Sequence, residues 1–144
     1  MRVEELMSEA KCCRPTDAVI EAARLMRDES IGFVPICDDA GKPIGAITDR
    51  DLTIRVLADG RSPDEKLSAF MTRDVISCRT GDDAEEVARL MRTHRKSRVM
   101  VCDESDQLVG VVSLHDIAEA ESDEEAGETL QEVKSGGPDQ PAAH

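Results

Sequence analysis

The sequence predicts an α/β fold in which two β-α-β-β-α repeats pack face to face with pseudo-twofold symmetry. Three observations predict it. Residues 65 positions apart match along most of the chain, each half carries one amphipathic helical stretch, and each stretch is followed by two short apolar runs around a polar turn. The shift brings Cys13 onto Cys78, Arg14 onto Arg79 and Asp17 onto Asp82. It also brings Ala23-Arg24-Leu25-Met26-Arg27 onto Ala88-Arg89-Leu90-Met91-Arg92, and Val34, Cys37, Asp38, Gly45 and Asp51 onto Val99, Cys102, Asp103, Gly110 and Asp116. Self-similarity at one offset marks a duplicated structural unit.

Each copy opens on a short extended piece, residues 11–14 and 75–79. A helix follows, with Val19, Ala22, Ala23 and Met26, then Val87, Leu90 and Met91, spaced to share one buried face. Thr16 and Asp17 are the expected caps of the first helix, Gly81 and Asp82 those of the second. The runs Phe33-Val34-Pro35-Ile36-Cys37 and Val99-Met100-Val101-Cys102 have the length of buried strands. Polar turns at 38–42 and 103–107 lead into second strands at 44–48 and 108–113, a hairpin pattern. Second helices open at Asp49 and Leu114.

A strand-helix-strand crossover is right-handed and sets its strands parallel. One three-stranded unit of this size cannot cover both its faces, so two must pair. The expected divisions are a first repeat at 1–58, a linker at 59–66 (DGRSPDEK), a second repeat at 67–120 and an acidic tail at 121–144. That tail has little to bury and is expected to be largely disordered.

Composition narrows the function. Of 144 residues, two are Phe and none is Trp or Tyr, so the core is aliphatic and no stacking platform for single-stranded nucleic acid exists. The net charge of -13 repels phosphate backbones, and no nucleic-acid partner is expected. The sequence shows no signal-like apolar segment and no run of 18 apolar residues, so no membrane partner and a cytoplasmic location are expected. The five cysteines would then be thiols. Neither a P-loop, a G-x-G-x-x-G nor a Ser-His-Asp set is present, and His94 and His115 lack a partner at motif spacing. A binding module is expected, not an enzyme.

The pattern that carries binding chemistry follows the second strand of each copy. Gly45-Ala46-Ile47-Thr48-Asp49-Arg50-Asp51 and Gly110-Val111-Val112-Ser113-Leu114-His115-Asp116 both read G-h-h-[ST]-x-x-D. A hydroxyl at a helix N-terminus suits a phosphate, and a carboxylate one turn on suits a ribose diol. The same pairs, Thr48 with Asp51 and Ser113 with Asp116, also read as capping boxes.

With these motifs, the strands F-V-P-I-C-D and R-V-M-V-C-D, and the leading Met7-Ser8 and Met71-Thr72, the sequence resembles a tandem CBS-domain protein, a Bateman module of the free-standing bacterial or archaeal type, over residues 3 to 120. The resemblance implies a non-catalytic regulatory role and no cofactor. The implied ligand contains adenosine, with AMP, ADP or ATP favoured over S-adenosylmethionine or a dinucleotide, held in clefts between the copies. It also implies a homodimer and a regulated partner protein of unknown identity. By the same resemblance Thr48, Asp51, Ser113 and Asp116 hold phosphate or ribose. Cys12, Cys13 and Pro15 would line one adenine pocket, and Ile76, Cys78 and Thr80 the other. A basic residue before the second strand would meet phosphate: the second copy has Arg98 there, the first Phe33.

Arg98 closes the run Arg92-Thr93-His94-Arg95-Lys96-Ser97-Arg98, an anion-site candidate or a solvated helix end. The expectation is that the Ser113/Asp116 cleft, with Arg98, is the stronger phosphate site. Cys13 with Cys37 and Cys78 with Cys102 read as buried thiols, a disulfide or redox pair, or, with least support, metal ligands. The alternative functions are a ligand-free protein-interaction module and a redox-responsive stress module.

Overall fold

The computed structural model of the chain describes residues 1–124. The first copy holds β1 (Ser8–Glu9), α1 (Val19–Glu29), β2 (Phe33–Cys37), β3 (Pro43–Thr48) and α2 (Asp49–Asp51), which runs on as a π-helical turn, Leu52–Leu57. The second holds β4 (Ser77–Arg79), α3 (Ala84–His94), β5 (Arg98–Cys102), β6 (Leu108–Ser113) and α4 (Leu114–Glu124). The repeat order is thus present in mixed α/β form, with β1 joining β6 of the second copy in a four-stranded sheet β1-β6-β5-β4 while the first copy's hairpin β2-β3 keeps only a bridge to the expected 11–14 piece. The expected tail begins inside α4, and residues 125–144 lie outside the described part.

Both hairpins pair antiparallel in the same register, Phe33 to Thr48 and Arg98 to Ser113, with the same irregularity near their turns. Their turns are closed alike. The Asp38 carboxylate accepts from the backbone of Ala40 and Lys42, and that of Asp103 from Ser105 and Gln107. Leu108 donates its backbone N–H to Gly41 at 2.9 Å, joining the two hairpins at that end.

The copies differ where proline enters. In the second, β4 forms a three-residue parallel ladder with β5, and the flanking bonds Met100 N–H to Ile76 (3.0 Å) and Thr80 N–H to Cys102 (3.2 Å) extend it. In the first, the positions equivalent to Met100 and Thr80 are Pro35 and Pro15, which have no N–H to give. Only a single bridge, Cys13 to Ile36, remains. The extended piece is there, but its ladder is cut to one rung.

The helices start by a different device from the expected one. Asp17 and Asp82 do not cap them: their carboxylates accept from the backbone of Arg14 (2.8 Å) and Arg79 (2.9 Å), closing the turns ahead. The N-caps are Ala18 and Asp83, neither with a side-chain cap bond. The orphan N–H of Val19 instead finds the carbonyl of Glu65, and that of Ala84 the carbonyl of Met1. These carbonyls belong to the segment that leads into the other copy.

That exchange organises the whole molecule. The leading turn Val3–Glu5 donates to Asp82 and Thr80, and Val3, Leu6 and Met7 pack among Val87, Met91, Val99, Val112 and Ile117 of the second copy. Reciprocally, Leu67, Phe70 and Met71 complete the first core around Val19, Ala22, Val34, Ile36 and Ile47. Behind each leader comes a strand contact: Ser8 and Glu9 pair with Val111 and Gly110, and Thr72 bridges Ala46. Each copy's core is closed by the segment preceding the other.

The motif glycines follow from this crossing. A Cβ on Gly45 would sit 2.7 Å from the Thr72 carbonyl, and one on Gly110 would sit 2.5 Å from the Met7 sulfur and 2.9 Å from the Ser8 carbonyl. Their lack of a side chain lets the exchanged leaders lie against the hairpins.

Candidate ligand clefts

Two clefts open between the copies, each below the end of one hairpin. The first, about 220 Å³, takes Thr48 from β3 together with Thr72, Asp74, Val75 and Ile76 from the second leader. Arg95, Lys96, Ser97, Arg98 and Met100 form its other wall. The second, about 200 Å³, takes Ser113, His115 and Asp116 with Ser8, Glu9, Ala10 and Lys11 from the first leader. Ile31, Gly32, Pro35 and Val111 add its apolar surface. Phe33 and Arg98 line both.

The hydroxyls and carboxylates of the motif form reciprocal capping boxes in both copies. Thr48 Oγ1 accepts from the Asp51 N–H at 3.1 Å while Asp51 Oδ2 accepts from the Thr48 N–H at 2.9 Å. Ser113 and Asp116 repeat this at 3.0 and 2.9 Å. The capping reading therefore holds. It leaves each hydroxyl proton and the second carboxylate oxygen available to other partners. Asp116 lines its cleft, whereas Asp51 is not among the residues lining the Thr48 cleft.

Of the expected adenine-pocket residues, Ile76 lies in the Thr48 cleft. Cys13 is buried in the first core. Cys78 lines a separate depression with Lys42, Arg79, Asp82 and Cys102, and Thr80 spends its carbonyl on the first leader. Neither Cys12, Cys13 and Pro15 nor Cys78 and Thr80 are among the residues lining the two clefts. Among the first-leader residues that line the second cleft, Lys11 is the repeat equivalent of Ile76. The same shift of 65 that aligns the cysteines points to it.

The basic run also falls differently from expectation. Arg95 ends α3 in the left-handed region (φ 55), and Arg95, Lys96 and Arg98 line the Thr48 cleft. Only Arg98 of this run reaches the Ser113 cleft as well. Lys96 also pairs with Asp74 at 3.1 Å. The cations of the Ser113 cleft are Arg98 and Lys11, the latter 3.6 Å from Glu29, set against Glu9 and Asp116. The Thr48 cleft is the more positive of the two, with an apolar floor of Val75, Ile76 and Met100.

Between the clefts the Arg98 guanidinium lies over the Phe33 ring, 5.6 Å from its centroid, a cation–π contact. Burial pulls the Arg98 pKa below its usual value, and the charges of Asp49 and Asp116 work against that pull. An arginine starts so high that it stays charged.

All five cysteines are free thiols, four of them buried and Cys12 exposed. Burial pushes Cys13 up to about 11 and Cys37 and Cys78 up to about 12. Beside burial, the neighbouring Cys12 thiol adds to the upward push on Cys37. Among the described residues no group of three or more His, Cys, Asp or Glu is placed to hold a metal ion, and no helix is long and apolar enough to cross a membrane.

A family model described as CBS domain matches the chain twice, at residues 3–58 and 67–123. The uncharacterized protein YlbB of Bacillus subtilis is 32% identical over 138 residues, covering 94% of this chain and 93% of its own length. The uncharacterized protein MK0525 of Methanopyrus kandleri is 35% identical over 108 residues, 74% of this chain, which spans only 55% of that protein. Among solved structures, the CBS domain pair of protein MJ0100 in complex with 5'-methylthioadenosine and S-adenosyl-L-methionine superposes with a TM-score of 0.74 at 27% identity, over 87% of this chain and 98% of that one. The cytosolic domain of the Mg2+ channel MgtE in complex with ATP gives 0.71 at 28% identity, over 83% of this chain and 48% of that one.

Proposed function

The chain belongs to the CBS-domain family, and from that premise we propose that it is a non-catalytic regulatory module binding an adenine nucleotide (AMP, ADP or ATP) between its two repeats. One observation carries the reading: the Thr48 cleft combines an apolar floor with a hydroxyl and with Arg95, Lys96 and Arg98 in a protein whose net charge is -13. An apolar floor fits a purine, and cations gathered against the overall charge fit its phosphate. The ligands in the MJ0100 and MgtE structures support an adenosine moiety. The Ser113 cleft, nearly neutral, suits a ligand with less phosphate.

Nucleotide would act by mass action, stabilising the arrangement in which both copies close on it, and a partner protein would read the altered surface. We further propose a homodimer, supported by Ile54 and Leu57, which expose 45% and 75% of their surface on the helix following Thr48.

A thermal-shift titration with AMP, ADP, ATP and S-adenosylmethionine tests the ligand class. A rise of several degrees with at least one nucleotide at millimolar concentration is expected. No rise with any of the four would refute the reading.

A further inference from the structure

Phe33 and Arg98 are the two residues common to both clefts. They occupy the same position of the repeat, each the first residue of its strand, and they meet across the pseudo-twofold axis. A symmetric pair would place one cation on each side. Here a single guanidinium serves a wall with two sides, and its partner in the contact is an uncharged ring.

The remaining charges make Arg98 decisive for one cleft more than for the other. Without it, the Thr48 cleft keeps Arg95 and Lys96 against Asp74. The Ser113 cleft would keep only Lys11 against Glu9 and Asp116, with His115 beside them and paired to Glu119 at 3.6 Å. Asp49, next to Thr48, and Asp116, in the Ser113 cleft, both attract Arg98, one from each side. A nucleotide phosphate brings a charge of roughly -1.5 to -2 at neutral pH, more than either carboxylate. The side on which it arrives therefore takes the guanidinium.

Building on the nucleotide reading, we propose that Arg98 is a shared phosphate ligand that serves one cleft at a time, so that an anionic ligand in the Thr48 cleft weakens anion binding in the Ser113 cleft. The chain then holds one nucleotide tightly, and its second cleft is left to a neutral or less charged nucleoside. This makes the two sites unequal and antagonistic for phosphorylated ligands, and the antagonism resides in one side chain.

Calorimetric titration of the full chain with AMP, and separately with adenosine, tests this. In the unmodified chain AMP gives one tight event and a second at least tenfold weaker. Arg98→Met keeps an apolar stem against Phe33; it weakens the first event at least tenfold and leaves the second within about twofold. Phe33→Arg supplies the missing cation and strengthens the second event at least fivefold. Two equal AMP events in the unmodified chain, or equal weakening of both in Arg98→Met, would overturn the sharing while leaving nucleotide binding intact. Absence of binding by AMP and adenosine alike would overturn the nucleotide reading and the sharing with it.

Discussion

Arg98 lies on Phe33, 5.6 Å from the ring centroid, although duplication made the two residues the same position. An arginine at both places would set two like charges against each other across the axis. A phenylalanine at both would leave the wall between the clefts uncharged. The mixed pair makes a favourable contact worth about 0.5–2 kcal/mol, and it concentrates the positive charge on one copy. The asymmetry of the clefts starts here.

The first prediction concerns phosphate recognition. Loss of a charge-assisted contact of about 1.5–3 kcal/mol corresponds to a drop of roughly 10- to 150-fold in affinity. Arg98→Met should lower AMP affinity by that amount, and Lys96→Met by less, because Lys96 already shares its charge with Asp74. Isothermal titration reads both. Undiminished AMP affinity in both variants would remove the basic wall from the site.

The second concerns the exchanged leaders. Leu67 is fully buried in the first core although it opens the second copy. Leu67→Ala should cost about 2–5 kcal/mol of stability in urea unfolding. Gly45→Ala should cost about 1–3 kcal/mol, because the new methyl meets the Thr72 carbonyl and not a movable side chain. A neutral Gly45→Ala would mean that Thr72 does not lie against β3.

The capping boxes yield a third. Asp51→Ala and Asp116→Ala each remove an acceptor for a backbone N–H at a helix start. Each should lower stability by about 1 kcal/mol in the absence of any ligand. A nucleotide effect at these positions must therefore be read as a change in ligand-induced shift against the variant's own baseline. Unchanged unfolding midpoints in both variants would contradict the capping geometry.

Thiol chemistry provides a fourth. Cys12 alone should react with Ellman's reagent in the folded protein near pH 8, and all five cysteines after denaturation. The folded pKa values of Cys13, Cys37 and Cys78, about 11 to 12, lie above the ordinary thiol value of 9.0. Their neutral forms thus contribute stability that is complete below pH 9 and is lost as pH rises toward 11–12. The slope in that window is of order 1.4 kcal/mol per pH unit per thiol. Cys78→Ala should flatten the alkaline limb of a stability-against-pH curve. A curve level from pH 9 to 11 would contradict the burial of these thiols.

A fifth tests the dimer. Leu57→Glu, at the most exposed large apolar side chain among the described residues, should shift the protein toward monomer in size-exclusion chromatography with light scattering. An unmodified chain that already runs as a monomer would refute the proposal.

Much of the fold was legible because duplication writes its evidence twice. A strand or helix seen weakly in one half was seen again 65 residues on. What the offset could not say was which copy a segment packs against. Val3 and Leu67 look the same whether they cover their own repeat or the other, since hydrophobic pattern records burial and not address. The caps depart from the sequence pattern for a related reason: Asp17 and Asp82 are good cap residues, but the leaders supply carbonyls at the helix starts and the carboxylates close the preceding turns.

In the clefts, the hydroxyls and Ile76 could be found from the motif and the repeat. Applied to Ile76, the offset names Lys11, whereas the matching cysteines lie two residues further along, at positions that line neither cleft. The direction of the basic run was not readable at all. It depends on where the chain goes after the left-handed Arg95, which puts Arg95 and Lys96 beside the hydroxyl of the other copy.

Photolabelling tests the central claim most directly, because it asks where the purine sits in the unaltered protein. After irradiation with 8-azido-AMP and proteolysis, the label should fall on the segments around Thr72–Ile76 or Arg95–Met100 and be suppressed by excess AMP. Competable label confined to the segment around Ser8–Lys11, or no competable label anywhere, would contradict the placement of the nucleotide in the Thr48 cleft.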